Sequence, residues 1–203
     1  MFRLLACIRA SVVVPALLAG QALAAETAPS ISAATPPAVA EESRADRLDA
    51  LFATLRDETD PDAAGEVENA ILDTWLDSES DTVDLLMDWT LQAMARKQYP
   101  RALDFLDRII IMKPDYVEGW NKRATVYFLM DDYGKSIADI GRVLELEPRH
   151  FGALSGLGII LRALGEDEQA KAAFRQALAL DPHLENVQEE LDSLEAETAG
   201  EET

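Results

Sequence analysis

The chain has 203 residues, 48% of them hydrophobic, and its 38 acidic against 18 basic side chains give a formal charge of -20. So acidic a surface repels phosphate backbones and anionic lipid headgroups, which makes nucleic acid and membrane surfaces poor partners and leaves basic proteins, peptides and cations. The length holds one domain with tails.

The chain opens on an address. Arg3 and Arg9 precede and flank an apolar run over residues 10–20, and Ala22-Leu23-Ala24 supplies the small residues a signal peptidase reads. Residues 1–24 are therefore expected to be a cleaved secretory leader, with no membrane insertion afterwards, because the apolar run is too short to cross a bilayer. Leu5-Ala6-Cys7 looks like a lipoprotein box but precedes the apolar run instead of following it. Cleavage takes the only cysteine with it, leaving no thiol for a disulfide, a metal or a nucleophile. Residues 25–43 follow, with Pro29, Pro36 and Pro37 among small residues; this reads as a disordered Ala/Pro linker, with too little large apolar content to offset ordering entropy.

Helical periodicity begins at Arg44. Leu48, Leu51, Phe52 and Leu55 fall on one helix face, Asp60-Pro61 breaks the pattern, and Val67, Ile71, Leu72 and Trp75 resume it. From there the punctuation is regular: Pro114, Pro148 and Pro182 are spaced 34 residues apart. A fixed period of this length marks a repeat architecture.

Residues 151–184 carry Leu154, Leu157, Gly158, Ala170, Phe174, Ala177 and Pro182 at positions 4, 7, 8, 20, 24, 27 and 32 of the unit. Residues 117–150 supply Trp120, Ala124, Tyr127 and Pro148, with Ser136 at position 20 and Ile140 at 24. Residues 83–116 supply Leu86, Trp89, Ala102, Leu106 and Pro114, with Thr90 at position 8. These units resemble the tetratricopeptide repeat family, and the resemblance implies an all-α solenoid of antiparallel helix pairs. Small residues at 8 and 20 are expected where the two helices of a unit cross, and Trp75, Trp89 and Trp120 are expected in the core. Residues 44–82 read as a degenerate helical pair closing the N-terminal end of the stack. Residues 185–203 read as a capping helix, through Leu184, Val187, Leu191 and Leu194, followed by an acidic tail.

Sites of chemistry are scarce. Asp77, Glu79, Asp81 and Asp88 begin like a calcium loop, but Thr82 stands where glycine is required, so Asp81 reads as a helix cap. Gly156-Leu157-Gly158 lacks the third glycine and the preceding strand of a dinucleotide fingerprint. His150 and His183, just beyond the second and third prolines, read as surface-loop histidines; no metal site and no cofactor is expected. Asp131 and Asp132 read as residues of the turn inside the second unit, and no catalytic set is arguable.

What remains is binding. The resemblance implies a concave groove lined by the first helix of each unit. The groove residues are then Asp84, Met87, Leu91 and Met94, next Glu118, Asn121, Thr125 and Phe128, and finally Ser155, Ile159 and Arg162, with Gly152 beside them. Family members that clamp a terminal carboxylate do so with Lys, Asn and Arg; Met87, Leu91, Ser155 and Ile159 stand at the comparable places here, so that activity is not expected. The reading is a non-catalytic scaffold of the bacterial periplasm. Its groove would take a peptide segment or helix of an envelope protein, with the acidic rim steering a basic partner. A self-associating module and an accessory subunit of an envelope assembly are the alternatives.

Overall fold

The computed structural model describes residues 43–201; the predicted leader and all but the last residue of the predicted linker lie outside them. Among the described residues there are nine α-helices and no strand: α1 Arg44–Asp57, α2 Pro61–Leu76, α3 Asp81–Ala95, α4 Tyr99–Met112, α5 Val117–Leu129, α6 Tyr133–Leu146, α7 Phe151–Ala163, α8 Asp167–Leu180 and α9 Glu185–Glu201. The architecture is an all-α solenoid in which α3–α4, α5–α6 and α7–α8 are successive antiparallel pairs.

The period is written into the backbone. Each second helix stops one residue before a Lys/Glu/Asp-Pro dipeptide, and the residue ahead of the proline is forced out of the helical region. Lys113, Glu147 and Asp181 accordingly take nearly the same conformation, φ -139, -137 and -135° with ψ 80, 92 and 99°. Within each pair the turn needs one left-handed residue. Lys97 at φ 55°, Asp131 at 59° and Gly165 at 77° fill that place in turn, so only the third unit uses the residue that adopts it without strain.

The crossing positions are as tight as the pattern requires. A Cβ on Gly158 would lie 2.3 Å from the Phe174 ring, and Ala102 and Ala170 are fully buried. Ser136, 1% exposed, donates its hydroxyl to the carbonyl of Ala124 at 2.8 Å and so meets its own polar demand at the α5–α6 crossing. At the C-terminal end α9 lays Val187, Leu191 and Leu194 on Leu154, Phe174 and Ala177. Arg162 pairs with Glu190 and Glu197, and Arg175 with Glu195, pinning the covering helix from both sides.

The N-terminal hairpin departs from expectation. Rather than closing the N-terminal end, α1 and α2 lie across the turns between repeats. Leu48, Phe52, Leu55, Ile71 and Trp75 form one core with Phe151 of α7, joined by Leu180 at the end of α8 and Leu184 of the third turn. Each turn supplies its own tie. Tyr116 donates its hydroxyl to the Leu76 carbonyl at 2.6 Å, and Lys113 reaches the Ser78 carbonyl. Arg149 pairs with Asp49 at 2.6 Å and covers the Phe52 ring. His183 bonds the Glu58 carbonyl at 3.2 Å. Tyr116, His150 and Leu184 occupy the same place in successive units, so the period that builds the stack also builds a second stripe, which the hairpin reads. The physical reason is a matching apolar seat: Tyr116, His150 and Leu184 of the turns, with Phe151 beside them, meet the stripe of Leu48, Phe52, Leu55, Ile71 and Trp75.

Two tryptophans also depart from the core expectation. Trp75 is 1% exposed, but Trp89 is 42% exposed, and Trp120 is half-buried, its indole N–H donating to the Pro114 carbonyl at 3.0 Å under the Arg123 guanidinium.

Candidate functional site

The concave face is a run of three clefts sharing residues along their borders. Between the second and third repeats, Phe128, Ile140, Ile159 and Ile160 line a mainly apolar cavity of about 210 Å³, with Asn121, Thr125 and Ser155 as polar points. A Cβ on Gly156 would meet nothing within 4 Å, so the cavity is open on that side. Asn121, Thr125 and Gly152 pass into a second cleft of about 300 Å³, whose other wall is Leu72, Asp73 and Leu76 of α2. Asp73 and Leu76 in turn border a third, of about 350 Å³, where Asp77, Asp84 and Asp88 surround Leu76, Met87 and Leu91. The groove is therefore apolar at one end and carboxylate-rimmed at the other, and α2 forms one of its sides.

Under the middle of the groove lies a buried polar cluster. Glu118 is 3% exposed and His150 1%. The carboxylate of Glu118 meets His150 Nε2 at 2.8 Å, Lys122 at 3.0 Å and the Asn121 amide at 3.1 Å. Burial acts to raise the Glu118 pKa, but the His150 hydrogen bond and the Lys122 charge outweigh it and hold the group down at about 2. His150 Nδ1 accepts from the Ala153 amide at 3.0 Å and so starts α7, while its ring stacks on Trp75 with centroids 4.2 Å apart. One side chain thus joins the groove helix α5, the start of α7 and the hairpin.

Family models of the tetratricopeptide repeat match residues 151–184 and 117–150. A TPR repeat-containing protein of Rhizobium etli is 46% identical over 164 residues, covering 81% of this chain and 80% of its own. This chain belongs to the tetratricopeptide repeat family. Among solved TPR structures, the first TPR domain of Spaghetti (RPAP3), bound to the HSP90 peptide SRMEEVD, superposes with a TM-score of 0.56 at 22% identity, over 61% of this chain and 96% of that one. The TPR2B domain of yeast Sti1, in a pHsp70 complex, gives 0.53 at 18% identity, over 60% and 99%. At those identities the likeness is one of fold.

Within this TPR frame the residues named for the groove divide. Asn121, Thr125, Phe128, Ser155 and Ile159 lie together in the apolar cavity with Gly152, and Asp84 and Leu91 lie in the acidic cleft. Asp84 is partly committed, since it accepts from the Ser78 hydroxyl and amide. Met94 packs half-buried against the core of the first repeat. Three assignments need correction. Met87 is 2% exposed and packs in that same core, so it meets the acidic cleft only as part of its floor. Glu118 borders the middle cleft, but its carboxylate is taken up by His150, Lys122 and Asn121. Arg162 faces α9, where it binds Glu190, Glu197 and the Ser193 hydroxyl at 3.2 Å. Two smaller corrections accompany them: Ser80, not Asp81, holds the cap position of α3, and His150 is a buried structural residue, not a surface one. The α2 wall, Leu72, Asp73, Leu76 and Asp77, was missed, because nothing in a local pattern says that a hairpin will fold back beside a groove.

Proposed function

We propose that this TPR protein is an exported, non-catalytic scaffold whose groove holds an extended, basic segment of an envelope protein by one apolar anchor side chain. The observation that supports it most is the polarity of the groove: a cavity of about 210 Å³ suits one large aliphatic or aromatic side chain. The adjoining cleft rimmed by Asp73, Asp77, Asp84 and Asp88 suits Lys or Arg. The solved relatives that hold HSP90 and HSP70 peptides do so with sequences ending in EEVD. An acidic end of that kind meets only repulsion beside these four aspartates, so the partner is of opposite charge. The leader expected in residues 1–24 supports an encounter outside the cytoplasm.

Phage-displayed peptides selected on the protein test this. Enriched sequences are expected to combine Lys or Arg with one large apolar residue. Their binding should fall at least tenfold in Phe128→Glu and Ile159→Glu and weaken as salt is raised. Enrichment of acidic peptides, or binding indifferent to both substitutions, overturns the reading. Processing is checked by the mass of the protein recovered from the periplasm, expected to begin at Ala25.

A further inference from the structure

The two ends of the repeat stack are not alike. α9 covers the third repeat, but among the described residues nothing covers the outer face of the first. Which residues belong to that face follows from the repeat register. One unit later, Arg123 and Asp139 stand where Trp89 and Phe105 stand. Arg123 bonds Asp139 at 2.7 Å and reaches across to Asp107 of α4 at 2.8 Å, so these are the positions through which a repeat meets the one before it. In the third unit the same positions are Leu157 and Ala173, and Leu157 packs against the core that Ile140 and Val143 of α6 help to form. In the first unit there is no earlier repeat. The positions carry Trp89, 42% exposed, and Phe105 beneath it with ring centroids 5.7 Å apart. Leu85 beside them is 47% exposed and Met112 52%. A terminal unit of a soluble solenoid is expected to be polar on its outer face; this one keeps an aromatic centre.

We propose that this face pairs with a second copy of the chain, head to head about a two-fold axis, with α3 and α4 of each copy covering Trp89 and Leu85 of the other. The charge around the patch favours a copy. On a chain of formal charge -20 copies repel almost everywhere, but here Arg96, Lys97, Arg101 and Arg108 stand among Asp81, Asp88 and Asp104. All seven are exposed, and Arg101 lies over Phe105 at 5.6 Å. Opposed across a two-fold axis, such a mixed rim meets its own complement. Head-to-tail stacking lacks an apolar counterpart, since the outer face of α9 presents Glu185, Gln188, Glu189 and Asp192 to solvent, and Ala196 is the one apolar side chain exposed among its described residues. With one end open and the other closed, association stops at two. The pair carries two grooves, so a partner with repeated segments is held by avidity without any new contact.

Sedimentation equilibrium of the protein as recovered from the periplasm decides it. The wild type is expected to approach twice its monomer mass at concentrations of roughly tens of micromolar. Trp89→Glu and, separately, Leu85→Arg should remain monomeric there with unchanged helical circular dichroism, while Ile159→Glu in the groove stays dimeric. That last variant separates this inference from the groove reading, which it disables alone. A wild type that is monomeric up to about 100 μM, a dimer untouched by both face substitutions, or mass growing without limit as in a filament would each overturn the proposal. So would dimerisation that appears only after residues 1–42 are removed, since the face would then belong to the chain's own leading segment.

Discussion

Two helical elements outside the repeats, α9 and the α1–α2 hairpin, look alike as amphipathic sequence and do different work. α9 continues the stack: it starts directly after the third proline turn, in the register a further unit would have, and sets three apolar residues on the face that unit would cover. The hairpin leaves the register. It binds three turns at once through Tyr116, His150 and Leu184, and in doing so becomes one side of the groove. A helix that follows the period protects one neighbour; a hairpin laid across the period ties all of the neighbours together.

Cutting each element separately sharpens that contrast most. Trp75→Ala removes the hairpin's central ring, packed against Phe52, His150 and Phe151, and is expected to cost about 3–5 kcal/mol in urea denaturation. Leu191→Ala, in α9, is expected to cost about 2–4 kcal/mol. Hydrogen exchange should distinguish them in place as well as size. Loss of Trp75 speeds exchange at all three inter-repeat turns, whereas loss of Leu191 speeds it only in α7 and α8. Equal spread from both variants would erase the distinction.

A smaller effect probes the joint between hairpin and groove. Glu118→Gln keeps a hydrogen-bond partner for His150 but gives up the charge facing Lys122, and should cost about 1–3 kcal/mol near neutral pH. The pH dependence follows from the lowered carboxylate. The wild type has this contribution in full above the unfolded value of 4.5 and loses it as pH falls through about 2. The stabilities of the two proteins should therefore converge between those limits, as read by thermal melts across the range.

Smaller again is a change in the opposite direction. Asp181 is fully buried, with one carboxylate oxygen bonded to the His183 amide at 3.0 Å and the other without a partner. Burial pushes its pKa up despite that amide. Keeping it ionised costs stability at neutral pH, and protonation relieves the cost as pH falls through the raised value. Asp181→Asn is expected to stabilise by roughly 1 kcal/mol at pH 7, with the gain fading in acid. Since Asp181 sits in the turn that holds Leu184 against the hairpin, a gain in its protection from exchange should appear in α1 as well as in α8.

The amino-acid sequence by itself determined the period, the helices and where they stop. Proline 34 residues apart dictates the extended residue before it, Gly158 and Ala170 dictate a close crossing, and the leucine spacing of α9 dictates a cover. All of these are local or repeat within one unit, so they are legible from residue type and spacing. Most of the apolar groove cavity was legible for the same reason, since Asn121, Thr125, Phe128, Ser155 and Ile159 sit at fixed places in a unit. Only the tertiary structure decided where the hairpin goes, because its seat is made by residues far apart in the chain, Phe52 and Trp75 against Phe151 and Asp49 against Arg149, 100 positions away. That choice turned His150 from a loop residue into a buried ligand of Glu118. It also made α2 a groove wall and left Trp89 facing outward. Burial of a polar residue is a property of what arrives on top of it, and no local pattern contains the arriving partner.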